Sequence, residues 1–321
     1  MSVAVQKVAF TLGKLDFAWR MAGPDIRKIL YHHFLIEESA SACGHAGYAS
    51  HPDDIEARLL GLVPGLDELD SPAVTANNRG ALPEAYVTAR QRRDWSQRPP
   101  REQDLHALAD ALTDCAFRRG IMTQAMAATG YDSDKWQSLV TMAKSGPSLD
   151  QVVNDWVKAC PDYNHPVAEL IWMTALPFLV ELAGFGPAAA LPFASCFANV
   201  AFLEAEVTTR DGKPTRADIA LLGLSQAAEL ALQRLNRCDA LYEKHKSLST
   251  GHKDAKRNEL MIAILCRRRV SMASLEEETG ISKRMVHYYF KQFKETGLIE
   301  LESTAQGGLG FLFRVKGPYR K

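Results

Sequence analysis

At 321 residues, the chain exceeds the ~250 to 300 residues at which a single hydrophobic core stops growing, so two or more domains are expected. Hydrophobic residues make up 46% of the chain and charged residues 24%, which excludes an intrinsically disordered or collagen-like protein. Basic and acidic residues are equal in number overall, but residues 252–321 hold 14 Lys and Arg against 8 Asp and Glu. A basic end joined to a mildly acidic remainder is the arrangement expected when only that end meets a polyanion.

The first two segments of the chain have the spacing of helices. An amphipathic segment runs through Trp19, and a second helix is predicted to begin at Pro24, a residue suited to the first helical position. A third helix is expected to follow His51, with Asp53 and Asp54 in its first turn near the positive pole.

Residues 69–103 are expected to be rich in loops. They contain the turn-like string 77–80 (NNRG), the pair Pro99-Pro100 and a dense run of charges. We therefore predict an N-terminal helical region at residues 1–102 and a second helical region at residues 103–250.

The second region contains an apolar stretch and a long helix. Leu182 to Leu203 is uncharged, but it is broken by Gly186-Pro187 and Pro192, so we predict a buried helical hairpin rather than a membrane span. A long helix is predicted from about Arg216 to Lys246, followed by a hinge at residues 247–256.

The cysteines and the N-terminus indicate a cytoplasmic protein. The cysteines form no CxxC pair, and we interpret them as reduced thiols packed as small apolar groups. No basic segment followed by an apolar run and a cleavage site begins the chain, so no secretory signal is expected. The six cysteines are Cys43, Cys115, Cys160, Cys196, Cys238 and Cys266.

Residues 251–321 predict a winged helix-turn-helix domain, which makes the predicted fold class mainly α with an all-helical body. A first helix ends in Arg267 to Arg269, whose charges suit its negative pole, and Val270-Ser271 forms a short strand. A second helix spans residues 273–279, and Gly280 permits the turn into the third. Ser282 is the candidate N-cap of that third helix, and Gly297 ends it.

The third helix of this domain is the predicted recognition helix. Val286, Phe290 and Phe293 recur at helical spacing and should face inward, so the opposite face carries polar and basic groups. Two strands, 298–301 and 311–315, would form a wing around the glycine-rich tip, with Arg320 and Lys321 after it. The residues predicted to contact double-stranded DNA are Ser282, Lys283, Arg284, His287, Tyr288, Lys291, Arg314 and Lys316.

The stretch from about Asn258 to Val315 resembles the winged-helix domains of bacterial transcription regulators of the MarR and ArsR type. The likeness is clearest in SMASLEEETGISKRMVHYYFKQFKETGLIE. The whole layout also resembles an uncharacterised plasmid-borne family of rhizobia with a helical body and a helix-turn-helix tail, on the order of elements and on LALQRLNRCDALYEKHKSL. The second resemblance implies a role on a replicon or mobile element.

Several short strings resemble parts of enzyme sites. His51-Pro52-Asp53-Asp54 is similar to the metal-binding opening of zinc-dependent de-N-acetylases, but no hydrophobic strand precedes it. His33 and Glu37 could share a metal, yet no HExxH completes the site, and Asn164-His165-Pro166 lacks the phosphate loop of the Fic fold. We therefore expect no enzyme, no metal and no cofactor.

The sequence thus predicts a homodimeric, sequence-specific DNA-binding regulator, whose helical body dimerises or senses a small-molecule or protein effector. Aromatic residues of the body could belong to its core or could line an effector pocket. These residues are Trp136, Trp156, Trp172 and Phe178. The alternative is a plasmid or mobile-element accessory factor or protein-interaction adaptor that uses the winged helix structurally, because Glu276 to Glu278 would repel phosphate if they faced it. A third class is an enzyme with a DNA-targeting tail.

Overall fold

The computed structural model describes residues 3–48, 50–59, 74–91, 101–118, 133–160, 166–203, 215–247, 254–304 and 311–318. We refer to residues 3–247 as the body and to residues 254–318 as the C-terminal unit. The regular structure described in the body is helical, and the strands described lie in the C-terminal unit. The mainly α fold class is therefore confirmed.

The body is built from helices that share one hydrophobic core. A 3₁₀ turn at Ala188–Ala190 precedes the ninth helix. The helices are α1 (Val3–Met21), α2 (Pro24–His45), α3 (Pro52–Leu59), α4 (Val74–Gln91), α5 (Glu102–Arg118), α6 (Ser133–Lys144), α7 (Leu149–Lys158), α8 (Pro166–Leu182), α9 (Phe193–Leu203) and α10 (Arg216–Ser247).

The second and third helices begin where the sequence predicts. Pro24 occupies the first turn of α2, where its missing N–H costs no hydrogen bond. Asp53 and Asp54 lie in the first turn of α3, so the string beginning at His51 opens a helix as expected.

The expectation of a loop-rich segment at residues 69–103 is wrong for its central part. Residues 74–91 form α4, which packs against α2 and α5. Leu82, Tyr86 and Val87 are fully buried on its inner face, and this burial outweighs the turn-like string 77–80 and the internal Pro83. Residues 92–100, including Pro99-Pro100, lie outside the described residues.

The long helix α10 packs along α1, α2 and α9. The apolar stretch after Leu182 folds into the 3₁₀ turn and α9, and α9 packs against α8 and α10, so its apolar side chains are used in the core. Among the described residues, no helix combines the length and apolar character required to cross a bilayer.

The C-terminal unit contains three helices and a small antiparallel sheet. The strand order is β1-β3-β2, with Arg269 opposite Arg314 and Glu300 opposite the same residue on the other side. Its elements are α11 (Asp254–Leu265), β1 (Arg269–Ser271), α12 (Met272–Thr279), α13 (Lys283–Glu295), β2 (Ile299–Thr304) and β3 (Phe311–Val315).

Two glycines make the turns on either side of α13. Gly280 ends α12 with φ +63°, and Gly297 follows α13 with φ +75°, a region that glycine enters without steric cost. Ser271 and Ser274 cap α12 reciprocally. Ser282 occupies the predicted N-cap position of α13, but its side chain makes no capping hydrogen bond.

The hydrophobic core continues from the body into the C-terminal unit, from Val5 to Val315. The division of the chain at residues 102 and 250 therefore remains a prediction, and the predicted hinge falls mostly on residues 248–253, outside the described residues.

Candidate nucleic-acid interface

Helix α13 has one buried and one exposed face. Val286, Phe290 and Phe293 are at most 4% exposed, as their spacing predicts, and Tyr289 joins them. The predicted contact residues on this helix all lie on the outer face, and Tyr288 is 56% exposed. The exposed residues are Ser282, Lys283, Arg284, His287, Tyr288 and Lys291.

Lys294 extends the same face by one turn and was missed by sequence reasoning. It lies three residues after Lys291 and seven after His287, and it is exposed. The helical spacing that identified the other residues was sufficient to find it.

Most of the described basic side chains of the C-terminal unit that lie outside α13 form ion pairs with carboxylates of the same chain. Arg269 donates two hydrogen bonds of 2.9 Å to Glu302, and Arg314 binds the same carboxylate. Lys316 lies 3.3 Å from Glu300. The two wing residues predicted to contact DNA, Arg314 and Lys316, are thus already in ion pairs on the sheet.

The arginines after α11 also pair with acids. The helix ends at Leu265, so Arg267 to Arg269 do not belong to its last turn, and the dipole role expected for them is wrong. Arg267 binds Glu278 at 3.2 Å, while Arg268 binds Glu37 at 2.7 Å and Asp53 at 3.1 Å. These acids compete with any phosphate for the three guanidinium groups.

The basic residues of α13 differ from these arginines in their ion pairing. Within the part of the chain that the structure describes, no carboxylate lies within ion-pair distance of Lys283, Arg284 or Lys291. Their side chains project into solvent on one helical face. An exposed helix face with uncompensated positive charge suits a polyanionic partner.

Helix α12, which packs against α13, carries three consecutive acidic residues. Glu277 and Glu278 are exposed and Glu276 is half-buried. Glu278 is paired with Arg267, which reduces its repulsion of a phosphate, whereas Glu277 remains on the surface. The predicted wing tip at residues 305–310, and Arg320 and Lys321, lie outside the described residues.

The body strings weighed as enzyme sites have structural partners instead. His33 donates from Nε2 to the carbonyl of Leu265 at 2.7 Å, and Glu37 binds two arginines. Asp53 binds Arg268, while His51 accepts a hydrogen bond from the N–H of Asp53. No group of three or more potential metal ligands occurs among the described residues, and Asn164-His165 lies outside them.

The aromatic residues considered for an effector pocket belong to the core. The rings of Trp156 and Trp172 stack with centroids 4.0 Å apart, and each indole N–H donates to the other residue's carbonyl, at 2.7 and 2.9 Å. Trp136 and Phe178 are also buried. With both indole donors satisfied, this pair offers no hydrogen bond to a ligand.

A buried polar group in the body was also missed by sequence reasoning. Arg90 on α4 donates to Tyr86 Oη at 2.8 Å and to the carbonyl of Ala189. Burial raises the pKa of Glu38 to about 8 and that of Glu181 to about 8, although the charge of Arg90 opposes both shifts. No sequence signal indicates this site, because the composition of residues 69–103 predicts a loop-rich segment around Arg90.

Neither a comparison with models of known protein families nor one with curated proteins found a match for this chain.

Proposed function

We propose that the C-terminal unit is a winged helix-turn-helix and that the protein is a sequence-specific DNA-binding regulator. The observation that carries the proposal is the distribution of charge in the unit. Arg267, Arg268, Arg269 and Arg314 are paired with carboxylates. Among the described residues, no carboxylate is paired with Lys283, Arg284 or Lys291 on the outer face of α13.

The order of elements supports the winged-helix assignment. Helix α11 and strand β1 precede the helix pair α12 and α13, which meet at Gly280, and strands β2 and β3 then pair as a hairpin. In a helix-turn-helix the second helix of the pair enters the major groove. In this chain that helix is α13.

The chemistry of the outer face fits base and phosphate contact. Arg284 can bind a guanine edge bidentately, and Lys283 and Lys291 can neutralise phosphates. Tyr288 and His287 add hydrogen-bonding groups between them. Arg314 and Lys316 would have to leave Glu302 and Glu300 to reach the DNA backbone, so in this proposal they are secondary contacts.

In this role the protein acts in the cytoplasm as a homodimer, with half-sites about one helical turn (~34 Å) apart. The body supplies the dimer contact and the site for an effector or partner that changes how the two recognition helices are presented. No catalytic step or cofactor enters the mechanism.

A second candidate is a replicon accessory factor that uses the winged helix structurally on DNA, or an adaptor that uses it for protein contacts, in either case without control of promoters. The observation favouring the adaptor is exposed Glu277 on α12, the helix that packs against α13. The footprint separates the two candidates, since a regulator protects short inverted repeats near promoters and an accessory factor protects an origin or transfer site.

The test is enrichment of fragmented host DNA by the purified full-length protein at moderate salt. A few sharp sites sharing an inverted repeat are expected from the wild type and none from Arg284→Glu combined with Lys291→Glu. The matched control is Lys7→Glu combined with Lys158→Glu, two exposed body residues, which should enrich the same sites as wild type. Retained enrichment by the α13 variant would reject α13 as the recognition helix.

A further inference from the structure

The C-terminal unit is attached to the body through a buried polar joint, formed by Glu37, Asp53 and Glu56 of the body and by Arg268 and Arg269. The centre of the joint is Glu56, whose side chain is fully buried. Its carboxyl group accepts the backbone N–H of Arg268 at 2.9 Å and that of Arg269 at 3.1 Å. The body thus binds the main chain between α11 and β1 directly.

The guanidinium group of Arg268 ties three body helices together. It donates to Glu37 of α2 and to Asp53 of α3. The other oxygen of Glu37 accepts from Arg234 of α10 at 2.6 Å. Glu37 is therefore shared between the long helix of the body and the C-terminal unit, and the side chains of Glu37, Arg234 and Arg268 are each 13% exposed.

Helix α11 is also bound to the body at both of its ends. Near its start, Arg257 donates to the carbonyl of His245 in the last turn of α10 at 3.0 Å. At its end, the carbonyl of Leu265 accepts from His33. Two contacts separated by most of the length of a helix fix its direction as well as its position.

The chemistry of these contacts indicates that they fix the orientation of the C-terminal unit and do not only hold it against the body. Burying charged groups costs desolvation free energy, so apolar packing could hold two units together at least as firmly. Ion pairs and hydrogen bonds, by contrast, are directional and are satisfied in one relative arrangement. Arg268 has its backbone and its guanidinium engaged by three carboxyl groups, which few other arrangements could reproduce.

We infer that this joint fixes the orientation of the C-terminal unit on the body, so that the body determines the direction in which α13 is presented. Any change in the body that moves Arg234 away from Glu37 alters the partner of Arg268 and hence the angle of the unit. The orientation itself is independent of what α13 binds, whereas its consequence for DNA rests on the proposed function.

The direct test is a pulsed spin-spin distance measurement on the full chain, with labels carried on unnatural amino acids at exposed Lys158 and Glu277. With the labelled chain diluted in an excess of unlabelled chain, so that distances between two protomers do not contribute, the wild type should give one narrow distance peak. Arg268→Met should lose that peak and give a broad distribution, with unchanged helix content by circular dichroism. Arg20→Met removes an exposed ion pair with Asp16 and should leave the peak unchanged.

A second variant keeps the inference testable if Arg268→Met does not fold. Glu37→Gln keeps the size of the side chain and removes the charge that Arg234 and Arg268 share, so it should broaden the distribution while the core stays intact. A narrow peak at the wild-type distance in both joint variants would overturn the inference.

The DNA consequence is tested by selection from a random duplex library. Wild type should recover paired half-sites at one spacing, and Arg268→Met the same half-site at scattered spacings. Identical spacing in both proteins would show that the joint does not control presentation. If wild type enriches no sequence, the proposed function fails. The distance measurement still tests whether the joint fixes the orientation of the C-terminal unit.

Discussion

At the scale of single residues, the buried carboxyl groups make stability depend on pH in an unusual direction. Burial raises the pKa of Glu38 from its ordinary 4.5 to about 8 in the fold, so the folded protein binds more protons than the unfolded chain between these values. The contribution of Glu38 to the free energy of unfolding is therefore present at low pH, and it is lost as the pH rises toward and through 8. Glu181 and Glu56, with pKa values of about 8 and about 7, act in the same direction.

We predict that Glu38→Gln removes part of this dependence, since glutamine stays neutral at every pH. Between pH ~6 and pH ~8.5, wild type should lose about 2 kcal/mol of unfolding free energy relative to the variant. Urea unfolding at the two pH values measures the difference. Glu229→Gln, on the surface of α10, should run parallel to wild type, and parallel curves for Glu38→Gln itself would contradict the raised pKa.

Two glycines should respond oppositely to alanine because their backbones differ. Gly280 has φ +63°, so Gly280→Ala should destabilise the fold by about 1 kcal/mol, although no atom lies within 4 Å of the added Cβ. Gly13 lies inside α1 with equally open surroundings, so Gly13→Ala should stabilise it by about 1 kcal/mol. Thermal unfolding compares the pair, and shifts of the same sign would contradict the backbone argument.

At the scale of one element, α13 separates stability from binding through two adjacent tyrosines. Tyr289 is 3% exposed, and Tyr289→Ala should cost about 3 kcal/mol of stability. Tyr288 faces solvent, so Tyr288→Ala should leave the melting temperature nearly unchanged while weakening DNA binding. Calorimetry and a titration with an enriched site test both, and a large stability loss in Tyr288→Ala would show that its ring is part of the packing.

The elements also show which features a sequence can predict. The faces of α13 follow from the spacing of Val286, Phe290 and Phe293, a local property. Helix α4 was missed because a turn-like string outweighed the buried residues that follow it. The joint could not be predicted, because Glu37 and Arg268 are 231 residues apart and both are charged residues of the kind usually found on the surface.

At the scale of the whole molecule, zero net charge does not prevent a polyelectrolyte interaction, since basic residues exceed acidic ones by six in residues 252–321. We predict that affinity for an enriched site falls steeply with salt, as bound cations are released from DNA. Lys291→Gln should lower the slope of log affinity against log salt by about 1. Fluorescence anisotropy at several salt concentrations measures it, with Lys158→Gln as the control, and an unchanged slope would remove Lys291 from the phosphate contacts.

The stacked pair of Trp156 and Trp172 gives the molecule an intrinsic optical label. All five tryptophans lie in the first 172 residues, and the aromatic absorbance of the C-terminal unit near its maximum comes from tyrosine. Two parallel indoles 4.0 Å apart couple their excited states, so the near-ultraviolet circular dichroism of the body should carry a signal specific to this contact. Emission excited at the red edge of absorbance then follows the body alone, while tyrosine also reports the other unit. Coincidence of the two melting curves is a label-free measure of how strongly the parts unfold together.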